Sequence, residues 1–135
     1  MNELNLLDGL NPAQRDAVTC DSQHLLVLAG AGSGKTRVLT SRISYFCQHF
    51  AMSPFAVLAV TFTNKAAHEM RARLEQQLGI ATQPLWIGTF HGLAHRFLRA
   101  HYEAAGLPQN FQILDSDYQL RVVKRVMKEL QLDEE

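Results

Sequence analysis

Eight consecutive residues contain the residue types that can hold a chain of phosphate groups. Glycines alternate with small residues and let the backbone curl, so that several N–H groups can point at one cluster of phosphate oxygens. The lysine that follows can reach the β and γ phosphates, and the last hydroxyl can ligate Mg²⁺. The pattern is that of a phosphate-binding loop with alanine in place of the usual first glycine. The eight residues are Ala29, Gly30, Ala31, Gly32, Ser33, Gly34, Lys35 and Thr36.

Two other segments combine an aromatic ring with hydroxyl, amide or imidazole groups. Phe62 and Phe90 each follow an apolar run and have threonine beside them. An aromatic face can stack on a nucleic-acid base whatever the sequence, at about 1–3 kcal/mol per base. Threonine hydroxyls and asparagine amides next to such rings can hold phosphates. From the residues alone, ordinary packing of either phenylalanine in a core is the favoured interpretation.

The phosphate-binding loop needs a strand before it and a helix after it. His24–Ala29 is an apolar run, which predicts a strand covered on both faces. A helix follows the glycines, because apolar residues recur at helical spacing along one face. Its predicted apolar face consists of Leu39, Ile43, Phe46, Cys47 and Phe50. A short helix over Pro12–Val18, capped by Asn11, precedes the strand.

The rest of the chain repeats the alternation of strand and helix. Ser53-Pro54 interrupts the pattern, and Ala56–Phe62 is a second apolar, β-branched run. Gly79 can close the next helix in a left-handed conformation. That helix carries Ala67, Met70, Leu74 and Leu78. A strand over Pro84–Gly88 and a helix over His91–Ala104 are predicted next. The last predicted helix begins with the capping box Ser116–Gln119. Its apolar face consists of Leu120, Val123, Met127 and Leu130. This order predicts a parallel α/β sheet that binds ligands at the carboxyl ends of its strands.

Composition excludes several classes of protein. The 135 residues are 47% hydrophobic, which is too much for a disordered chain and suits one domain or a part of one. The longest apolar runs are far shorter than the roughly 20 residues of a membrane helix. Residues 1–5 lack the features of a secretory signal. Cys20 and Cys47 show no metal-ligand spacing, so we expect reduced thiols in a cytoplasmic protein without a membrane contact.

The net charge of zero conceals a segregation of charge along the chain. Residues 35–101 hold eight basic and two acidic side chains and five of the six histidines, whereas the segments on either side are each acidic by three charges. A basic middle segment is compatible with a polyanion site. Arginines on solvated helix faces explain the same pattern, and charge alone slightly favours that explanation.

The loop alone leaves a kinase, a GTPase or an ATPase open. With the motifs outside the loop, the chain resembles the UvrD/Rep/PcrA family of superfamily 1 DNA helicases, closest to its UvrD branch. The resemblance runs from about residue 7 to the end of the chain and rests on ordered motifs. These are Leu10–Arg15, Ala29–Arg37, Thr61–Met70, Gly88–Arg96 and Asn110–Ser116. It implies a P-loop NTPase (RecA-like) parallel sheet that is incomplete here and is followed by the start of a helical insertion. Residues 1–105 would belong to the first motor domain and residues 106–135 to the insertion, with a boundary as early as about residue 89.

The resemblance implies roles for residues on both sides of the loop. Gln14 would read the edge of adenine through its amide, although it also lies where a glutamine can cap the helix that Asn11 opens. Arg37 would stack its guanidinium on the adenine, against the alternative of a solvated residue in the first helical turn. Lys35 and Thr36 would act in catalysis, with Thr36 on the Mg²⁺ that accompanies ATP.

The family's single-strand path gives the aromatic segments a function. The resemblance assigns to DNA binding Phe62, Thr63, Asn64, Thr89 and His91. Phe90 is left unassigned, because it can point inward while His91 points outward. The implied activity is ATP-driven, 3′-to-5′ translocation along single-stranded DNA and unwinding at junctions with duplex, in repair or replication, with repair proteins as possible partners.

Parts that ATP hydrolysis requires are not recognisable in the sequence. We reject Asp133–Glu135 as the acidic pair for Mg²⁺ and water, since no apolar strand precedes it. We therefore expect an N-terminal fragment that is inactive alone, with an exposed hydrophobic edge at Leu25–Leu28 that leads to self-association or partial unfolding. The alternatives are a P-loop nucleotide-binding protein that is not a helicase, and a helicase subunit of a recombination nuclease complex.

Overall fold

A computed structural model describes residues 6–114 and 116–132, except the side chains of Ser116 and Asp117. The predictions made for residues 1–5, for the capping box at Ser116 and for the carboxylates of residues 133–135 lie outside this description. The chain forms mixed helix and strand structure of the α/β type. Its elements are α1 (Pro12–Thr19), α2 (Lys35–His49), a 3₁₀ turn (Pro54–Ala56), β1 (Leu58–Thr61), α3 (Asn64–Leu78), β2 (Trp86–Thr89), α4 (Phe90–Ala100) and α5 (Ser116–Glu129).

The two strands form a parallel pair in which Leu58 is opposite Trp86 and Thr61 is opposite Thr89. Helix α3 lies between them in the chain and packs on both. A core cluster fills the space between the sheet, α2 and α3. Its buried members are Ile43, Ala59, Met70, Leu74, Leu85 and Ile87. The predicted helix closure at Gly79 is confirmed, since this residue caps α3 at a φ of 67°.

Helix α1 is joined to α2 by a smaller core, and a reciprocal capping box forms its own N-terminus. Leu10, Val18 and Val38 form this second buried cluster. The Asn11 side chain accepts the Gln14 N–H, and the Gln14 side chain accepts the Asn11 N–H, which completes a capping box. The predicted helix start at Asn11-Pro12 is therefore confirmed.

The predicted apolar face of α2 is wrong in part. Leu39 and Phe50 are exposed, whereas Thr40, Ser41 and Ser44 are buried. Helix α3 packs against this small polar face, and the Ser44 hydroxyl donates to Gln77 Oε1 at 2.8 Å. Small side chains let two helices approach closely, and hydrogen bonds satisfy the buried hydroxyls.

The prediction of a buried strand over His24–Ala29 is contradicted. No strand is present there, and no other strand pairs with it within the described ranges. Exposure alternates along the segment: Leu25 is 42% exposed, Leu26 81%, Val27 41% and Leu28 85%. Leu25 and Val27 line a cavity of about 290 Å³ against α2. One side of the segment therefore faces a helix and the other is open, so the expected exposed apolar side chains are present but do not form the edge of a strand.

The chain divides into two compact units between Ala94 and His95. In the second unit α4 ends at Ala100, four residues earlier than predicted, and turns follow it. Arg99 fixes the next loop, since its guanidinium lies 4.8 Å from the Phe111 ring centre and donates to the Gln109 carbonyl at 3.2 Å. Helix α5 confirms the last predicted helix, but Leu120, Val123 and Leu130 on its predicted apolar face are exposed.

Candidate functional site

The glycine-rich loop leads directly into the N-terminus of α2. Gly32 and Gly34 adopt left-handed φ values of 73° and 84°, which other residues rarely adopt. Ser33 tightens the loop, because its hydroxyl donates to the Gly30 carbonyl at 2.7 Å. The first N–H groups of a helix have no partner within it and carry the positive end of the helix dipole. The loop therefore has the backbone form and the polarity of an anion site.

The Lys35 side chain folds back over the loop. Its Nζ donates to the carbonyls of Ala29 at 2.9 Å and Gly30 at 2.5 Å. An ammonium group has three donors, and these two contacts hold it at the same end of α2 as the loop N–H groups. Thr36 follows within the first helical turn and is half-buried. The loop and the ammonium thus lie together at the start of α2, where Thr36 also lies, and their use as a phosphate site stays a prediction.

The Gln14 amide has two structural partners. Its Oε1 accepts the Asn11 N–H at 3.0 Å, and its Nε2 donates to the Ser33 carbonyl at 2.9 Å. The capping alternative is therefore real, and the second contact, to the loop itself, was not anticipated. The amide keeps one N–H and one acceptor position for another partner.

Arg37 lies exposed on the first turn of α2, and its guanidinium is tied to the segment before α1. Its Nη2 donates to the Asp8 carbonyl at 2.8 Å. A guanidinium held at one nitrogen keeps its planar face available for stacking. Gln14 thus contacts the loop at the N-terminus of α2. Arg37, in the first turn of α2, contacts the turn at Asp8-Gly9.

The two aromatic segments meet at the carboxyl edge of the sheet. Phe62 follows β1 and Phe90 follows β2, each directly after the register pair Thr61–Thr89. Their ring centres are 5.4 Å apart, Phe62 is 88% exposed and Phe90 55%. The core-packing interpretation of these rings is therefore wrong, and Phe90, which the sequence left unassigned, belongs to the same exposed pair.

Polar groups surround the ring pair at the starts of two helices. Thr63 caps α3 and accepts the Ala66 N–H at 3.1 Å, while Thr89 precedes α4 and accepts the Gly92 N–H at 3.2 Å. Each hydroxyl acts there as an acceptor and keeps its own O–H to donate. Asn64 and His91 are exposed beside them. Two helix N-termini with free donors favour the binding of phosphates.

Several basic residues of the middle segment have structural roles that the sequence did not reveal. Arg42 donates through Nη1 to three carbonyls at the end of α1, those of Ala17, Val18 and Cys20, at 2.9, 3.3 and 2.6 Å. Arg71 on α3 donates to the Ile87 carbonyl of β2. Part of the positive charge thus joins elements to each other, a role that neither a polyanion site nor solvated helix faces had predicted. Arginine contacts with carbonyls distant in the sequence leave no local pattern by which to predict them.

Within residues 6–114 and 116–132 no helix has the length and apolar character to cross a membrane. The same residues contain no group of three His, Cys, Asp or Glu side chains that could hold a metal ion. Cys20 and Cys47 are both free, as expected. Burial raises the pKa of the Cys47 thiol, whereas hydrogen bonds with Ser22 are the main cause of a lowered pKa at Cys20.

Comparisons with known proteins agree with the motifs. Residues 10–135 match the family model of the UvrD/REP helicase N-terminal domain. The chain is 59% identical to DNA helicase II of Escherichia coli over 96% of its own length, and 50% identical to the ATP-dependent DNA helicase PcrA of Bacillus subtilis over 95%. It covers 18% and 17% of those two proteins, so it spans less than a fifth of their length. The chain therefore belongs to the UvrD/REP helicase family and corresponds to its N-terminal domain.

Proposed function

We propose that the chain is the ATP-binding N-terminal part of an ATP-dependent DNA helicase that moves on single-stranded DNA. The observation that carries this proposal is the exposed Phe62–Phe90 ring pair at the edge where both strands end. Nucleotide binding alone does not require two exposed aromatic rings there, whereas bases of single-stranded nucleic acid stack on such rings. The names of the relatives support DNA as the nucleic acid and ATP as the nucleotide on which the activity depends.

The nucleotide half of the proposal rests on residues 29–36. The backbone N–H groups and Lys35 would hold the β and γ phosphates of ATP, and Thr36 would ligate the Mg²⁺ bound with them. Gln14 and Arg37 would contact the adenine. The described residues fit this use, since the loop presents left-handed glycines, an ammonium and a helix N-terminus together. Mg²⁺ would add charge neutralisation on the phosphates.

The DNA half rests on the two strand ends. Phe62 would stack on a base, and Thr63, Asn64, Thr89 and His91 would contact phosphates of the same strand. We further propose the RecA-like fold of P-loop NTPases for the whole motor. In this proposal residues 1–105 belong to its first domain and residues 106–135 begin a helical insertion. The full protein would translocate 3′ to 5′ in cytoplasmic DNA repair or replication, with single-stranded DNA and its duplex junctions as partners.

Two variants test the halves separately, and each is the control for the other. Phe62→Ala should weaken the binding of fluorescent oligo-dT by about 10-fold, since one stacked base is lost, and should leave binding of a fluorescent ATP analogue unchanged. Lys35→Ala should abolish detectable binding of the ATP analogue and leave oligo-dT binding within about 2-fold. Oligo-dT affinity should also fall steeply with salt.

Each half of the proposal has an outcome that contradicts it. If the chain binds the ATP analogue but shows no salt-sensitive binding of oligo-dT, the DNA half is wrong and Phe62 and its neighbours are not the single-strand site. If Lys35→Ala binds the ATP analogue as tightly as the unchanged chain, residues 29–36 are not the nucleotide site.

A further inference from the structure

Gln14 links α1 to the phosphate-binding loop through both atoms of its side-chain amide. Its Oε1 accepts the Asn11 N–H at 3.0 Å, and its Nε2 donates to the Ser33 carbonyl at 2.9 Å. Gln14 and Ser33 are 19 positions apart in the sequence. The amide therefore joins the first turn of one helix to the loop that opens the next.

The Ser33 carbonyl lies at the position where the loop becomes a helix. Gly34 follows it with a φ of 84° and caps α2. A Cβ placed on Gly34 would lie only 3.0 Å from Gln14 Nε2, so the amide packs closely against this glycine. Because a peptide unit is planar and trans, its carbonyl and its N–H point in opposite directions. A donor that fixes the Ser33 carbonyl therefore also fixes the direction of the Gly34 N–H.

We propose that Gln14 is a positioning residue for phosphate binding. By holding the Ser33–Gly34 peptide, the amide sets the direction of a backbone N–H in the loop before a phosphate arrives. This role is separate from contact with the base, for which one N–H and one acceptor position of the amide remain. The inference rests on the proposed ATP site, because it concerns how that site is ordered.

Inorganic tripolyphosphate separates the two roles, since it has the phosphate chain of ATP and no base. Its affinity with Mg²⁺ is measured by competition against a fluorescent ATP analogue on the 135-residue chain. Gln14→Glu keeps an acceptor for the Asn11 N–H but replaces the donor to Ser33 by an oxygen that repels the carbonyl. We expect tripolyphosphate affinity to fall by about 10-fold and ATP affinity by at least as much.

Three further variants serve as comparisons and controls for this measurement. Gln14→Ala removes the amide without adding charge and should lower tripolyphosphate affinity by about 3-fold. Asn11→Ala removes the Oδ1 that accepts the Gln14 N–H but leaves the Gln14 side chain, so it tests whether weakening α1 alone has the same effect. It should stay within about 2-fold. Arg37→Ala should lower ATP affinity alone. Circular dichroism reports whether each variant is folded.

The results distinguish three failures. If both Gln14 variants bind tripolyphosphate within 2-fold of the unchanged chain while ATP binding weakens, Gln14 contacts only the base and the inference is wrong. If Asn11→Ala loses as much tripolyphosphate affinity as Gln14→Glu, helix stability explains the effect. If the unchanged chain binds neither ligand, the proposed ATP site itself fails.

Discussion

Single side chains in this molecule do more than their residue types indicate. Gln14 caps a helix and holds the loop, and Arg42 closes the carboxyl end of α1 while its guanidinium lies 4.4 Å from the centre of the Phe46 ring. A cation over an aromatic face adds about 0.5–1 kcal/mol when it is exposed. Some arginines of the basic middle segment are therefore used in contacts within the fold. Only the other, exposed basic side chains of this segment would contact a polyanion.

At the residue scale the two cysteines should differ in reactivity. The thiolate is the nucleophile, so at neutral pH a lowered pKa increases the reactive fraction and a raised pKa decreases it. Hydrogen bonds with Ser22 lower the pKa of Cys20, and burial raises that of Cys47. We expect iodoacetamide at pH 7 to modify Cys20 first, as peptide mass spectrometry can measure.

The control for this prediction removes the main cause of the shift. Ser22→Ala should slow the modification of Cys20 and leave that of Cys47 unchanged, and raising the pH should reduce the difference between the two thiols. Equal rates at pH 7 in the unchanged chain would contradict the assignment.

At the scale of elements, a helix is ended by one left-handed residue. Gly79 caps α3 with a φ of 67°, and an added Cβ would meet no atom within 4 Å. Gly79→Ala therefore brings only the backbone cost of the left-handed conformation, about 1–2 kcal/mol. The loss of unfolding free energy is measured by urea denaturation.

Asparagine is the matched variant at the same position, because it adopts the left-handed conformation more easily than alanine. Gly79→Asn should lose less stability than Gly79→Ala. A loss that is equal or larger in Gly79→Asn would show that contacts of the new side chain, rather than backbone strain, determine the cost.

The helices and the two paired strands could be predicted from the sequence, because their signals are local. Apolar spacing, the cap at Asn11 and the left-handed Gly79 each act within a few residues. Burial could not be predicted in the same way. Leu39 is exposed and Ser44 buried because α3 packs on the small polar side of α2, and a helical period alone does not say which side a neighbour covers.

The same distinction between local and distant signals applies to the candidate site. Composition and spacing were enough to predict a glycine-rich turn before a helix at residues 29–36, whose binding of phosphates stays a prediction. The pairing of Phe62 with Phe90 depends on the register of two strands, and the bond from Gln14 to Ser33 depends on how two helices pack. Both are contacts between residues distant in the sequence, for which no local pattern exists.

At the scale of the whole molecule, Leu25–Leu28 should govern association. Leu26 and Leu28 are among the most exposed large apolar side chains, and an open apolar segment of this kind favours pairing with another chain. The double variant Leu26→Lys/Leu28→Lys should shift the chain toward monomer, as sedimentation velocity over a range of concentrations can measure. Phe55→Lys, at an exposed phenylalanine outside this segment, should not.

A sharp thermal transition together with a monomer at every concentration in the unchanged chain would contradict this prediction. It would mean that the open side of residues 25–28 is tolerated by the isolated chain. Association that persists in the double variant and disappears in Phe55→Lys would place the contact on the surface near the 3₁₀ turn instead.

The pairing of Thr61 with Thr89 restricts where this protein can change in length. Side chains alternate between the faces of a strand, so one residue added within β1 or β2 would turn Phe62 or Phe90 away from its neighbour. The connection from Gly79 to Leu85 lies outside both strands, but Thr82 and Leu85 within it are buried, whereas Gln83 is exposed. Insertions that preserve the proposed nucleic-acid binding should therefore be tolerated at Gln83 and not at Thr82 or Leu85.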